Sequence, residues 1–408
     1  MTKSTALDVT SPIFRADPYP IYARLRAQSP VQRIALAGKQ TAWLVTRYDD
    51  VLEMLKGKHF AKDRLNALPP EQMAKQPWVP KFVKPLLRNM LDVDAPDHTR
   101  LKALVHLAFT PRMIERMEQR IRSLADDLLD KALSRGRMDL IRDYALPIPT
   151  TIIAEMLGVP AKDNHKFTRW SSAIVAIESP SPRIWDMAKA LPHLVAFLRY
   201  IRRLIRAQAA APQDNLIGAL VQAEEAGAQL SEDELVAMVF LLLVAGHETT
   251  VNLIGIGTLA LLNNPDQMER LVKDPSLIES AVEELLRYDG PLKMATERYA
   301  RRDVTIAGTT IPQGELVFAG LASANRDERQ FPDPERLDLA REPNRHLAFG
   351  QGVHYCLGAP LARLEGQIAL NTLLQRTRNL RLAIAPEKLR WKRGLVLRSL
   401  KALPVSFD

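Results

Sequence analysis

A single cysteine, Cys356, is all the thiol that 408 residues carry. That excludes an internal disulfide framework and sets the expectation of a reducing, cytoplasmic location. No internal repeat, heptad array or low-complexity tract is present, which excludes repeat and coiled-coil architectures. The opening stretch, Met1 to Asp8, lacks an apolar core, so neither a signal peptide nor a membrane anchor is expected. Also missing are a basic block, a zinc knuckle and an aromatic RNA-binding motif. The net charge of +9 and pI near 9.6 therefore point to an acidic protein partner and not to nucleic acid.

Apolar residues make up 47% and charged residues 25%, enough for a large core. A helical run through Ile21 and Leu25 precedes a strand over Thr41–Thr46 and a helix through Val51 and Leu55. Five prolines between Phe60 and Met90 mark a long irregular segment. A helix opens after Pro96 and includes His98 and Lys102. Helical periods follow over 114–133 and 149–157, then two helices within 162–211 flank a break at Ser179–Pro182. Arg199, Arg202, Arg203 and Arg206 recur on the second of these, as a solvated face.

Ser231 and Glu234 form a capping box ahead of an apolar run from Leu235 to Leu262. The patch His247-Glu248-Thr249-Thr250 divides that run into pieces of roughly ten residues, too short to cross a bilayer. A core helix is expected. Position 251 is Val, so His247-Glu248 is not a zinc-protease helix. Further on, Ala281–Tyr288 is an amphipathic helix with Glu284 and Arg287 on one face. Pro291–Thr296 is expected as a strand, 304–306 with 311–318 as a small hairpin sheet, and 394–398 as a hairpin tip.

Phe349 to Ala359 surrounds Cys356 with glycines and leads into a helical run. A thiolate binds soft or borderline metals, glycines let backbone approach a flat ligand, and a helix start favours thiolate over thiol. Phe349, Gly352, His354, Cys356 and Gly358 match the signature Phe-x-x-Gly-x-(His/Arg)-x-Cys-x-Gly, and Ala245-Gly246-His247-Glu248-Thr249 matches (Ala/Gly)-Gly-x-(Glu/Asp)-Thr. In both motifs the chain resembles the cytochrome P450 family.

The resemblance implies one catalytic domain over 1–408, mainly α with small β-sheets (α+β), with a long central helix crossing the haem. It implies heme b with Cys356 as axial metal ligand. Phe349, Gly350, Gly358 and Ala245 border the haem, and His98, Lys102, Arg298 and His354 attend its propionates. Lys102 stands where the family more often has Arg, and it lacks the planar fork. Thr249 and Glu248 are the implied catalytic pair for oxygen activation and proton delivery. Glu284, Arg287 and Arg336 are the implied structural triad. Met90, Leu91, Leu242, Lys293, Met294, Val396 and Leu397 are the expected substrate lining, suited to a hydrophobic molecule. The implied chemistry is insertion of one oxygen atom of O2. Electrons come from a ferredoxin and its NAD(P)H-dependent reductase, and the enzyme is a monomer off the membrane. A peroxide-driven relative, a cysteine hydrolase and a non-catalytic haem sensor are the alternatives; Glu248-Thr249 argues against the first.

Overall fold

Ser231 starts the longest helix among the described residues. Its hydroxyl accepts from the Glu234 amide (3.3 Å), while the Glu234 carboxylate accepts from the Ser231 amide (2.8 Å) and hydroxyl (2.9 Å), satisfying orphan groups reciprocally. The helix Glu232–Leu262 then runs for 31 residues, roughly 46 Å at 1.5 Å per residue. It is long and apolar enough to cross a membrane. However, 61% of its most apolar window is buried inside the protein, as expected of a core helix.

The computed structural model describes residues 7–36, 40–68, 86, 88–175, 184–225 and 227–408. The expected irregular segment 60–90 and the break at 179–182 lie largely or wholly outside them. The chain forms two compact units. One comprises Met1–Leu68, Ile121–Ile148 and Thr249–Asp408; the other comprises Pro69–Arg120 and Pro149–Glu248.

In the first unit, six short strands form a mixed sheet. They are β1 (Leu7–Asp8), β2 (Val31–Ala35), β3 (Thr41–Val45), β4 (Phe60–Ala61), β5 (Arg298–Ala300) and β6 (Leu316–Ala319), in the order β1-β2-β3-β6-β5-β4. β6 runs parallel to β3 with Phe318 opposite Leu44, and antiparallel to β5. Side chains alternate across the sheet, so both faces of the central pair are buried. Leu44 and Phe318 enter one core with Phe14, Tyr22 and Met294. Val45, Val317 and Ala319 enter the other with Tyr48, Met54, Phe60 and Phe331. A hairpin forms at 304–311, but its second strand is Thr309–Ile311, and the later part of the expected strand 311–318 belongs instead to β6 of the six-stranded sheet.

Five helices matter to the expected functional and charged residues: α1 (Asp97–Ala108), α2 (Ile184–Ala210), α3 (Glu232–Leu262), α4 (Ile278–Asp289) and α5 (Ala359–Arg376). In the second unit, Arg202 pairs with Glu232 and Asp233, and Arg206 with Glu232, so these cations on α2 serve the acidic first turn of α3.

One expected strand is absent. Across 291–296 only an isolated bridge, Leu292 to Leu397, forms. Pro291 has no amide to donate. The Lys293 amide goes to Val396 O and the Ala295 amide to Ala319 O, so successive bonds serve two different elements and no ladder builds.

Candidate active site

The cysteine loop is shaped by two left-handed glycines, Gly350 (φ +69°) and Gly352 (φ +76°). Any side chain at Gly352 would be strained twice, because its Cβ would lie 2.7 Å from Leu55 O. The turns close through Gly350 N to Leu347 O (2.9 Å), Tyr355 N to Gly352 O (3.1 Å) and Cys356 N to Phe349 O (3.0 Å). Cys356 is left exposed, close before α5 begins. A Cβ at Gly358 would meet nothing within 4 Å.

The Arg363 guanidinium lies 4.5 Å from the Phe349 ring centroid. It also donates twice to Glu283 of α4, at 2.7 and 2.8 Å, and His346 Nε2 lies 3.1 Å from the same carboxylate. Burial works to raise the Glu283 pKa, but the hydrogen bonds from Arg363 and His346 overcome it and hold the group at about 2. α4 and α5 thus grip the cysteine loop from one side.

Next along α4, Glu284 and Arg287 are both fully buried and joined at 2.7 and 2.8 Å. The expected third member needs correction. Arg336 is exposed and contributes only its carbonyl, to Arg287 Nη2 at 3.2 Å. The side chain that reaches Glu284 is Arg341, through Nε at 3.1 Å, with further bonds to the carbonyls of Pro332, Asp333 and Arg336.

On α3, Ala245 and Gly246 are exposed in the middle of an otherwise well-covered helix, and a Cβ at Gly246 would meet nothing within 4 Å. Beside them His247 and Glu248 are buried, Thr249 is half-buried and Thr250 is buried. Asn252 donates to Ser399 Oγ at 2.7 Å, fixing the helix to the C-terminal hairpin. A residue not expected from sequence, Glu365 of α5, accepts a hydrogen bond from Thr250. It is 1% exposed, its Oε1 has no partner, and burial raises its pKa to about 8. A signal existed, since Glu365 occupies the apolar stripe of Leu361 and Ile368 at i+4 and i+7.

His98 is buried on α1, and burial, with Lys102 one turn on, lowers its pKa. Lys102 is half-buried. Arg298 is buried on β5, and His354 is half-buried in the cysteine loop. Met90, Leu91, Leu242, Val396 and Leu397 are half-buried, so each presents apolar surface. Two expected lining residues point elsewhere. Met294 has no exposure and belongs to the Phe14–Tyr22 core. Lys293 is 2% exposed, donates from Nζ to Gly394 O at 2.7 Å, and lies over the Phe14 ring. Burial first, then Arg398 and Arg15, push its pKa down to about 7.

Within the first unit the donor set fits a thiolate-ligated haem: an accessible sulfur at Cys356, open space before Gly358, and the buried cation Arg298 for a propionate. A family model described as Cytochrome P450 matches residues 30–401. The chain is 43% identical, over 97% of both chains, to a polyketide biosynthesis cytochrome P450 of Bacillus subtilis (strain 168). The solved structure of that relative superposes with a TM-score of 0.90, covering 98% of this chain and 99% of the other. A vitamin D(3) 25-hydroxylase of Pseudonocardia autotrophica is 44% identical over 98% of this chain and 96% of its own. A myxobacterial cytochrome P450 crystallised with myristic acid has a TM-score of 0.88 at 43% identity, covering 98% of each chain.

Proposed function

Since the chain belongs to the cytochrome P450 family and is a haem-thiolate monooxygenase, we propose that it hydroxylates or epoxidises a hydrophobic small organic molecule. Cys356 would hold haem b, and the haem when bound would supply the redox chemistry for O2 activation. Arg298, His354, His98 and Lys102 would hold its propionates, while Phe349, Gly350, Gly358 and Ala245 would border its faces. The thiol lies just ahead of the N-terminal, positive end of α5, a position that favours thiolate over thiol. The Thr249 hydroxyl orients a proton at the reacting oxygen, and Glu248, buried one residue earlier, passes protons toward it. Both units together form the single catalytic domain, since one family match runs through both.

The substrate surface is apolar at Met90, Leu91, Leu242, Val396 and Leu397. Three relatives are named for a polyketide pathway, for vitamin D(3) and for a bound fatty acid, which supports a hydrophobic substrate of that size range. Electrons reach the enzyme from a ferredoxin and an NAD(P)H-dependent ferredoxin reductase. It acts as a cytoplasmic monomer, without nucleic acid or membrane.

The observation that carries this reading is Cys356, exposed at the end of a glycine loop and at the head of a helix. The reduced protein with carbon monoxide is expected to show the long-wavelength Soret band of a thiolate complex, and Cys356→Ala to lose it. The same band in both proteins would refute the assignment.

A further inference from the structure

Within the first unit lies a cavity of about 780 Å³ bounded by the helix Pro12–Ala16, the C-terminal ends of α3 and α4, and the segment 386–401. Its deep wall is electrically settled. Arg398 donates to Asp289 (2.6 Å) and to the carbonyls of Arg15 and Ala16, and it stacks at 3.8 Å on Trp391. Arg326 is clasped between the Tyr19 and Tyr288 rings and pairs with Glu335.

The rim is not settled. Arg15, Arg390, Arg393 and Lys401 line it, and among the described residues none of the four has a carboxylate within ion-pair distance. Of the described carboxylates, only Asp17 and Glu387 share the lining with them, apart from Asp289. From Leu389 to Lys401 there are five Lys or Arg and no Asp or Glu. The antiparallel bridge Trp391–Leu400 and the bond from Lys401 N to Arg390 O (2.8 Å) set Arg390 directly across from Lys401. Like charges facing each other across a ladder destabilise it unless a counter-charge joins them.

We propose that this cavity binds a small molecule bearing two or more negative charges as phosphate. The volume falls in the ordinary range for small-molecule sites, roughly 300–1,000 Å³, and accommodates more than a single orthophosphate. Guanidinium forks from Arg15, Arg390 and Arg393 match phosphate oxygens in bidentate geometry, and Lys401 adds a point charge. The concave wall selects a compact anion over the flat surface of an acidic protein. The site is separate from Cys356 and takes no part in the oxidation.

The test is calorimetric titration of the haem-loaded protein with pyrophosphate at low ionic strength. Binding is expected, and it weakens at least tenfold in Arg393→Gln/Lys401→Gln and again in Arg15→Gln, which lies on the helix Pro12–Ala16. Lys131→Gln, an exposed change outside the cavity equal in charge to Arg15→Gln, keeps the parent affinity. Haem content per chain confirms that each variant is folded. ADP run in parallel separates the sources: equal affinity assigns the phosphates alone, tighter binding an ester. No binding at millimolar pyrophosphate, or equal loss in Lys131→Gln and the cavity variants, overturns the proposal.

Discussion

At the scale of single residues, Glu365 is the most informative side chain. Its ordinary pKa is 4.5 and its folded value about 8, because burial disfavours the charged form more than the Thr250 hydroxyl favours it. The folded state therefore binds the extra proton between those values. Stability from this group is complete below pH 4.5 and drains away as pH rises toward 8. Glu365→Gln keeps the shape and removes the titration. Its melting temperature is expected to match the parent below about pH 4.5, to exceed it by a margin that grows as pH rises toward about 8, and to keep that margin above it. Parallel melting curves across that window would show that the carboxyl is not protonated in the fold.

At the scale of elements, α4 organises the cysteine loop through two adjacent carboxylates. Glu283 holds Arg363 and His346, while Glu284 holds Arg287 and Arg341. Glu284 has no exposure, so removing a cation from it leaves charge under-compensated in a low dielectric. Arg341→Ala is expected to cost about 3 kcal/mol in chemical denaturation, near the lower end for breaking a buried pair because Arg287 remains. Arg336→Ala keeps the carbonyl that Arg287 uses and should cost about 0.5 kcal/mol or less. The reverse ranking would restore Arg336 to the triad. Position in a motif suggested Arg336, but the path of the loop decided for Arg341.

At the scale of the whole molecule, the net charge of +9 shapes encounters with partners. If the electron donor is the proposed acidic ferredoxin, long-range attraction that salt screens would draw it in, with a Debye length of about 10 Å at 0.1 M. The second-order rate of haem reduction by such a ferredoxin is expected to fall steeply as ionic strength rises. Stopped-flow measurement over a salt series checks this, and a flat profile would show that net charge does not steer the encounter.

Much of the site was legible because its signals are local. The glycines around Cys356, the capping box at Ser231 and the polar patch in an apolar helix are chain-neighbour patterns, and backbone sterics or helix geometry turns each directly into structure. What the sequence could not decide depends on elements distant in the chain. Lys293 and Met294 turned into the protein because Gly394 O and the Phe14–Tyr22 core lie beside them. The strand at 291–296 failed because its amides found acceptors in two other segments. Glu365 became protonated only when α5 packed against α3, since burial is a property of the assembled core and not of the residue.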